Sequence, residues 1–310
     1  MTILPAALLA FAGPGTYQAA PLTPDLDEPA AFESDCIPVL CYHGIGGSGA
    51  LSVSPERLRS DLEILYEAGF HLALPSDLFT GFTRVPSDRI PVILTFDDGW
   101  ESQFELVEGR DGLETTAGCA VGILEAFCEA HPDFGRGAAF FISWDKIPFG
   151  QADLIDEKLN FLLDNGYEIG NHSLRHASFM RIPTDEWERH LAGAVAKMKP
   201  YIGLRTSLVT SVSWPGGRFP EGARFDEILE SMTYQGSPVA SCGFLVDGSL
   251  LDLSECTGTD GRYRMGRFDM ARCSIYSVIR SRRIVDREPR TGLHDPLPWR
   301  ARALPPLRIR

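Results

Sequence analysis

Apolar residues along this chain follow two alternating patterns. Short runs such as Val39-Leu40-Cys41-Tyr42 and Ile90-Pro91-Val92-Ile93-Leu94 are apolar at nearly every position, as strands buried on both faces are. Between such runs lie longer stretches with apolar residues spaced three and four apart. The clearest opens at Ser54-Pro55-Glu56-Arg57. A serine N-cap and a proline at the first helical position start a helix there. Its apolar stripe is Leu58, Leu62, Leu65 and Tyr66, and Gly69 stops it. The same reading predicts strands at 37–42, near 71–74, through 90–94 into Thr95-Phe96, and at 137–142, 167–170, 209–214 and 239–246. Helices are predicted between them at 120–130, 152–165, 184–199 and 221–232. Repeated β–α units imply a parallel sheet with helical cover, open or closed into a barrel. Residues 13–35, rich in Pro, Ala, Asp and Glu, read as a linker, and 108–116 as a polar excursion at the rim.

Where the 90–94 strand ends, the chain reads Thr95-Phe96-Asp97-Asp98-Gly99. The C-terminal ends of strands running into a turn are where α/β proteins build sites. Two carboxylates this close disfavour joint ionisation unless a cation or proton separates their roles. The pair therefore suggests one carboxylate on a metal and one free to act as a base. Downstream, Glu168-Ile169-Gly170-Asn171-His172-Ser173-Leu174-Arg175-His176 places two histidines four apart after a short strand. A helical turn there puts both imidazoles on one face, close enough to share an ion. Asp98, His172 and His176 then form a set with positions left open, the layout of a catalytic rather than a closed structural metal. Divalent zinc suits those donors, and cobalt, nickel, iron or manganese also fit.

The T-F-D-D-G run followed by His172-Ser173-x-x-His176 resembles the polysaccharide deacetylases, also called the NodB-homology or carbohydrate esterase family 4 proteins. Ile37-Pro38-Val39-Leu40-Cys41-Tyr42-His43-Gly44-Ile45 is similar to the opening strand of one subgroup, which includes the poly-N-acetylglucosamine deacetylases and has a circularly permuted motif order. Ser213-Trp214-Pro215-Gly216-Gly217-Arg218 resembles that subgroup's Y-P-x-G loop, and the resemblance spans roughly residues 37 to 272. It implies an α/β fold, a distorted (β/α) barrel with about seven parallel strands. It implies a metal-dependent hydrolase that removes N-acetyl groups from an N-acetylglucosamine-containing polysaccharide. Asp98, His172 and His176 would be the ligands, Asp97 the general base and His43 the general acid.

Pro215, Gly216 and Gly217 would form the loop beside the substrate, where glycine lets backbone N–H groups approach a developing oxyanion. Asn171 and Ser173 would orient the ligands. Trp100, Trp144 and Trp214 fall near strand ends, where each either stacks on a sugar ring or packs in the rim or core. There is one departure from the family pattern. Many members carry an arginine before this proline, paired to the base, whereas this chain has Ser213-Trp214. Arg218 and Arg267 are the candidate replacements; Arg267-Phe268-Asp269 also resembles the subgroup's closing strand. Two alternatives stand beside the deacetylase reading. One is a same-fold hydrolase acting on acetyl-xylan or a non-sugar C–N amide bond, and the other is a non-catalytic glycan-binding relative.

A chain of 310 residues, 44% hydrophobic and 23% charged, can bury one large α/β barrel or two smaller domains. Its net charge of −13 argues against nucleic acid as a partner and is compatible with neutral or cationic glycans. The charge is uneven: residues 280–310 hold nine arginines against three acids, a net of +6, so the remainder carries −19. With five prolines in the same stretch, this end reads as a disordered or loosely docked tail, or as an anchor to an acidic polymer or membrane surface. The expected organisation is a segment 1–35, a catalytic domain 36–275 and a basic tail 276–310. The run Ile3-Leu4-Pro5-Ala6-Ala7-Leu8-Leu9-Ala10-Phe11-Ala12 is similar to a short signal core without the usual basic start. Because the family's polymers lie outside the cytoplasm, export to the periplasm, cell surface or medium is expected. No apolar run approaches the ~20 residues a membrane span needs. Seven cysteines with no C-x-x-C leave at least one without a partner in the chain.

Overall fold

The structure, a computed structural model, describes residues 35–110, 112–254 and 259–287. Its centre is an eight-stranded parallel sheet. In chain order the strands are β1 (Val39–Tyr42), β2 (Phe70–Ala73), β3 (Ile90–Asp98), β4 (Ala139–Ile142), β5 (Glu168–Asn171), β6 (Ser211–Ser213), β7 (Cys242–Phe244) and β8 (Phe268–Asp269). Seven follow one path, β7-β6-β5-β4-β3-β1-β8, and β2 lies off it, against β3. Strand β3 is nine residues long because it serves two neighbours along one edge. Its residues 90–93 pair with β2 and its residues 95–98 with β4, while β1 takes the other edge. The path curls back on itself. Phe244 at the end of β7 forms a parallel bridge with Met265, just before β8, and the Leu245 N–H donates to the Met265 carbonyl at 2.8 Å. This is the expected distorted (β/α) barrel.

The continuous apolar runs arise because both faces of these strands are buried. Val39, Ile93, Ala139, Phe141, Cys242 and Phe244 pack with Met265 in one interior cluster. Their neighbours Leu40, Tyr42, Leu94, Phe96, Phe140 and Ile142 belong to a second layer, shared with the helices. Those helices are α1 (Pro55–Glu67), α2 (Ala120–Ala130), α3 (Ile155–Asp164), α4 (Trp187–Ile202), α5 (Ala223–Ser231) and α6 (Ile275–Arg287). The Ser54 hydroxyl caps α1 by accepting the Arg57 N–H at 3.1 Å, and Leu58, Leu62 and Leu65 are buried as the stripe predicts.

Three local expectations change. The predicted strand 37–42 is split at Pro38, which has no N–H to give to a ladder. Cys36–Ile37 instead pairs antiparallel with Leu251–Asp252. The polar excursion is an antiparallel hairpin, Leu106–Glu108 with Leu113–Thr115. The first part of the basic tail is helix α6, whose Val278 and Ile279 are buried in the same layer as the α1 stripe. The rest of the tail, and the segment with the signal-like run, lie outside the described residues. Among the described residues no helix is long and apolar enough to cross a membrane.

Glu168 opens β5 and accepts the Ser76 N–H at 3.0 Å. Burial pushes its carboxyl up from 4.5 to about 7. The folded state thus holds this proton more tightly than the unfolded chain. The group's stabilising contribution is present below the unfolded value and is lost as pH rises through about 7. Glu168→Gln should therefore stabilise the protein at about pH 8 relative to the parent, and change little at about pH 4. Urea midpoints at the two pH values test this, and an equal difference at both would refute it.

Candidate active site

The alternation along β3 sends Thr95 and Asp97 into the barrel, where both are buried. Asp97 meets the fully buried Arg267, which stands just before β8. Nη1 donates to Oδ1 at 2.8 Å and Nη2 to Oδ2 at 2.7 Å, the two-pronged geometry that favours arginine over lysine. The Ser213 hydroxyl donates to Oδ2 at 2.7 Å, and the Cys41 thiol reaches the same oxygen at 3.5 Å. Arg267 is itself fixed: its Nε donates to the Leu245 carbonyl at 2.9 Å and Nη1 to the Thr95 hydroxyl at 2.9 Å. Its guanidinium lies over Phe141 and Phe244. Burial opposes ionisation of Asp97, but the facing guanidinium outweighs it and holds the carboxyl well below the usual range. Burial pushes the Cys41 thiol up, so it is a neutral donor here. Of the two candidate replacements, Arg267 therefore holds Asp97. Arg218 is exposed on a neighbouring groove.

Asp98 leaves the extended conformation at φ 77°, followed by Gly99 at φ 69°. Aspartate is one of the few side chains that tolerates this region. The turn brings Asp98 Oδ1 to 3.2 Å from His172 Nε2 and 3.3 Å from His176 Nε2. The two imidazole rings lie 4.9 Å apart, as the spacing suggested, but no helical turn carries them. Residues 172–176 form an irregular loop with Ser173 at φ 65° and His176 at φ 51°. Side chains hold the loop. Asn171 Oδ1 accepts the Ser173 N–H at 2.9 Å, Ser173 Oγ accepts the Ala177 N–H at 2.9 Å, and Asn171 Nδ2 donates to the Leu191 carbonyl at 2.9 Å. Such local bonds compete with helix formation.

The donor set fits a divalent cation. His172 Nδ1 lies 2.8 Å from the Ser213 carbonyl, to which only a protonated Nδ1 can donate. In a neutral ring that leaves Nε2 a lone pair. Two imidazole nitrogens and a carboxylate oxygen then converge within 4.8 Å, a donor set of the kind that holds a divalent cation.

His43 follows β1. Its Nδ1 is 4.0 Å from Cys41 Sγ, and Cys41, His43 and Asp97 bring their polar atoms within 4.8 Å of one another. Proton donor and base candidates thus share one mouth of the barrel. Gln103, which no sequence pattern marked, is fully buried beneath them and donates to the backbone carbonyls of both His43 and Asp97. Ser213, which departs from the family pattern, touches Asp97 through its hydroxyl and His172 through its carbonyl.

The Pro215–Gly217 loop is a tight turn in which Gly216 and Gly217 have φ of 76° and 69°. Gly217 gives its N–H to the Trp214 carbonyl at 2.8 Å, so it is committed to the turn. Gly216 is the exposed member. Beside the loop, Met180, Gly217, Arg218, Phe219, Leu245 and Asp247 help to line an open groove of about 710 Å³. Trp214 is fully buried, stacks on Phe219 at 4.0 Å and donates Nε1–H to the Tyr263 carbonyl. It is a core residue and not a sugar platform. Trp144 stacks on Tyr201, and Trp100 lies edge-on to His43 with Lys146 over its ring.

Residues 84–236 match the family model of the polysaccharide deacetylases. Among solved structures, the Streptococcus pyogenes deacetylase PplD in complex with acetate is similar over 79% of this chain and 97% of its own, with a TM-score of 0.59 and 15% identity. Polysaccharide deacetylases from Bacillus anthracis and Bacillus cereus each align with 79% of this chain and 68% of theirs, at a TM-score of 0.55 and 18% identity. At such identities the likeness is one of fold. No curated protein matches the chain in sequence.

Replacing Arg267 by methionine keeps much of its bulk but strands the Asp97 charge in the barrel. Arg267→Met should destabilise the protein by about 3 kcal/mol or more. Adding Asp97→Asn should return a large part of that loss. Denaturant unfolding of the two single variants and the double variant tests this, and simple additivity would mean the pair is not coupled.

Proposed function

We propose that this chain, which carries a polysaccharide deacetylase domain, is a metal-dependent hydrolase that removes N-acetyl groups from a polysaccharide containing N-acetylglucosamine. The observation that carries the reading is the division of labour between two consecutive carboxylates. Asp98 faces two imidazoles, and Asp97 is held ionised by Arg267. Asp98, His172 and His176 would hold the cation, with zinc the natural fit to their donors. When bound, it supplies Lewis acidity towards a carbonyl oxygen and lowers the pKa of water.

The remaining steps belong to the chain's own groups. Asp97 accepts a proton as water adds to the acetamide carbonyl carbon. The Gly216 turn offers backbone to the charge developing on the carbonyl oxygen. His43, protonated, gives its proton to the departing amine, and acetate and a free amino sugar leave. Donor and base in distinct environments, an imidazole and a carboxylate, are what this exchange needs. An acid supplied from β1 and a guanidinium supplied beside β8 are the features that favour the permuted poly-N-acetylglucosamine subgroup. A polymer substrate of this kind places the enzyme outside the cytoplasm.

Acetate release from N-acetylglucosamine oligomers, measured on metal-stripped protein with and without added zinc or cobalt, tests the reading. Release that depends on the metal is expected. Asp97→Asn should lower turnover by about 100-fold or more while metal stoichiometry is kept. His172→Ala should lose metal and activity together. Near-normal turnover by Asp97→Asn would overturn the assignment. Bound metal without release would point to another acyl substrate, such as acetyl-xylan, and neither metal nor release to a glycan-binding protein.

A further inference from the structure

We propose that Gln103 is the positioning residue that holds His43 in place as proton donor, an inference that rests on the assignment of His43 as general acid. Gln103 ends the short turn Glu101–Gln103 that follows the two carboxylates, and its side chain is fully buried. One amide nitrogen serves two acceptors. Nε2 donates to the His43 carbonyl at 2.9 Å and to the Asp97 carbonyl at 2.5 Å. An amide nitrogen has two hydrogens, so both are used. The reverse orientation would set the amide oxygen against two carbonyl oxygens. The arrangement therefore admits one amide orientation and ties the end of β1 to the end of β3.

The two ends do not depend on that tie equally. Asp97 lies within β3, directly opposite Phe141 on β4, and its side chain is gripped by Arg267 and Ser213. His43 lies just past the last residue of β1, and its ring meets Cys41 Sγ only at 4.0 Å. Its backbone runs from Tyr42, paired with Phe96, to Gly44 and Ile45, which pair with Ser52 and Val53, and the turn adds the contacts to His43 itself and to Ile45 from the other side. Gln103 takes the His43 carbonyl, and Ser102 Oγ accepts the Ile45 N–H at 3.1 Å. Between them Gly44 lies against the Trp100 ring, so close that a Cβ there would stand 2.7 Å from it. Removing the Gln103 donors thus loosens the histidine, whose side chain has no such grip, more than the aspartate. It also leaves two buried carbonyls without this partner, a cost that any role for Gln103 would share.

The test separates positioning of the acid from general loosening. Hydrolysis of an acetamide needs a proton delivered to the amine, whereas hydrolysis of an activated aryl acetate such as p-nitrophenyl acetate expels a phenolate that needs none. Gln103→Met keeps the shape and removes both donors. Its kcat for acetate release from N-acetylglucosamine oligomers should fall by about 10-fold or more with KM little changed, a part of what general acid catalysis supplies. Its rate on p-nitrophenyl acetate should fall far less, and bound metal should stay stoichiometric. His43→Asn, measured alongside, should show the same selective loss to a greater degree. Should Gln103→Met fail to fold, Gln103→Asn, which keeps an amide too short to reach both carbonyls, takes its place. Equal losses on amide and ester in the Gln103 variant, with the selective loss intact in His43→Asn, would overturn the positioning role alone. No selective loss in His43→Asn would overturn the acid assignment and this inference with it.

Discussion

Two carboxylates on consecutive residues at the end of a buried strand repel each other, and burial makes both costly to ionise. The structure meets this constraint by giving the pair different surroundings. Asp97 stays in the strand, points into the barrel and takes a guanidinium on both oxygens. Asp98 turns out of the strand at φ 77° and faces two imidazoles. The Asp97–Arg267 pair is the more demanding of the two arrangements, since neither partner has water to fall back on. Its requirements explain much of what surrounds it. The serine on β6, the threonine on β3 and the Leu245 carbonyl each satisfy hydrogens or oxygens of the pair, and two phenylalanines cover the guanidinium.

That pair also links the site to closure of the barrel. The segment matching the deacetylase family model, 84–236, contains Asp97, Asp98, His172, His176, Ser213 and the Pro215–Gly217 turn, but neither His43 nor Arg267. Those two arrive just past β1 and just before β8, strands that lie side by side with Leu40 opposite Phe268 and Cys41 opposite Asp269. The ladder between the two chain-distant strands is therefore what completes the mouth of the barrel. Packing that weakens this seam would displace His43 and Arg267 relative to Asp97 without touching Asp98, His172 or His176.

Much of the fold was legible in the sequence because it depends on patterns that do not require distant partners. Buried parallel strands announce themselves as apolar runs, and α1 by its serine cap and stripe. The carboxylate pair and the two histidines were legible from type and spacing. The helical turn expected between His172 and His176 was wrong in its backbone and right in its consequence, because Asn171 and Ser173 bond locally and still bring the rings together. The partner of Asp97 could be narrowed only to Arg218 or Arg267, since the choice is made by strand pairing across 170 positions. Gln103 was invisible. A buried glutamine that donates to backbone has no periodicity and no motif, and its acceptors are main-chain atoms that every residue possesses. Trp214 misled in the same way: its position at a strand end said nothing of the Phe219 ring and Tyr263 carbonyl that bury it.

Ser213 shows why an arginine is not needed on β6. Its hydroxyl accepts from Arg267 at 2.6 Å and donates to Asp97 at 2.7 Å, while its carbonyl lies 2.8 Å from His172 Nδ1. One small residue thus bridges the Asp97 carboxylate and the His172 imidazole, and a long side chain there would compete for the volume Arg267 fills. With Trp214 committed to the core, the positive charge comes from the facing side of the barrel instead. Electrostatics constrains where the guanidinium must be in space and not which strand delivers it. A carboxylate held so strongly in its ionised form is a weak base, so tight pairing gains order at the expense of basicity. Under the proposed function that trade would be tolerable, since a cation held by Asp98, His172 and His176 would lower the pKa of water and Asp97 would need chiefly to be in place.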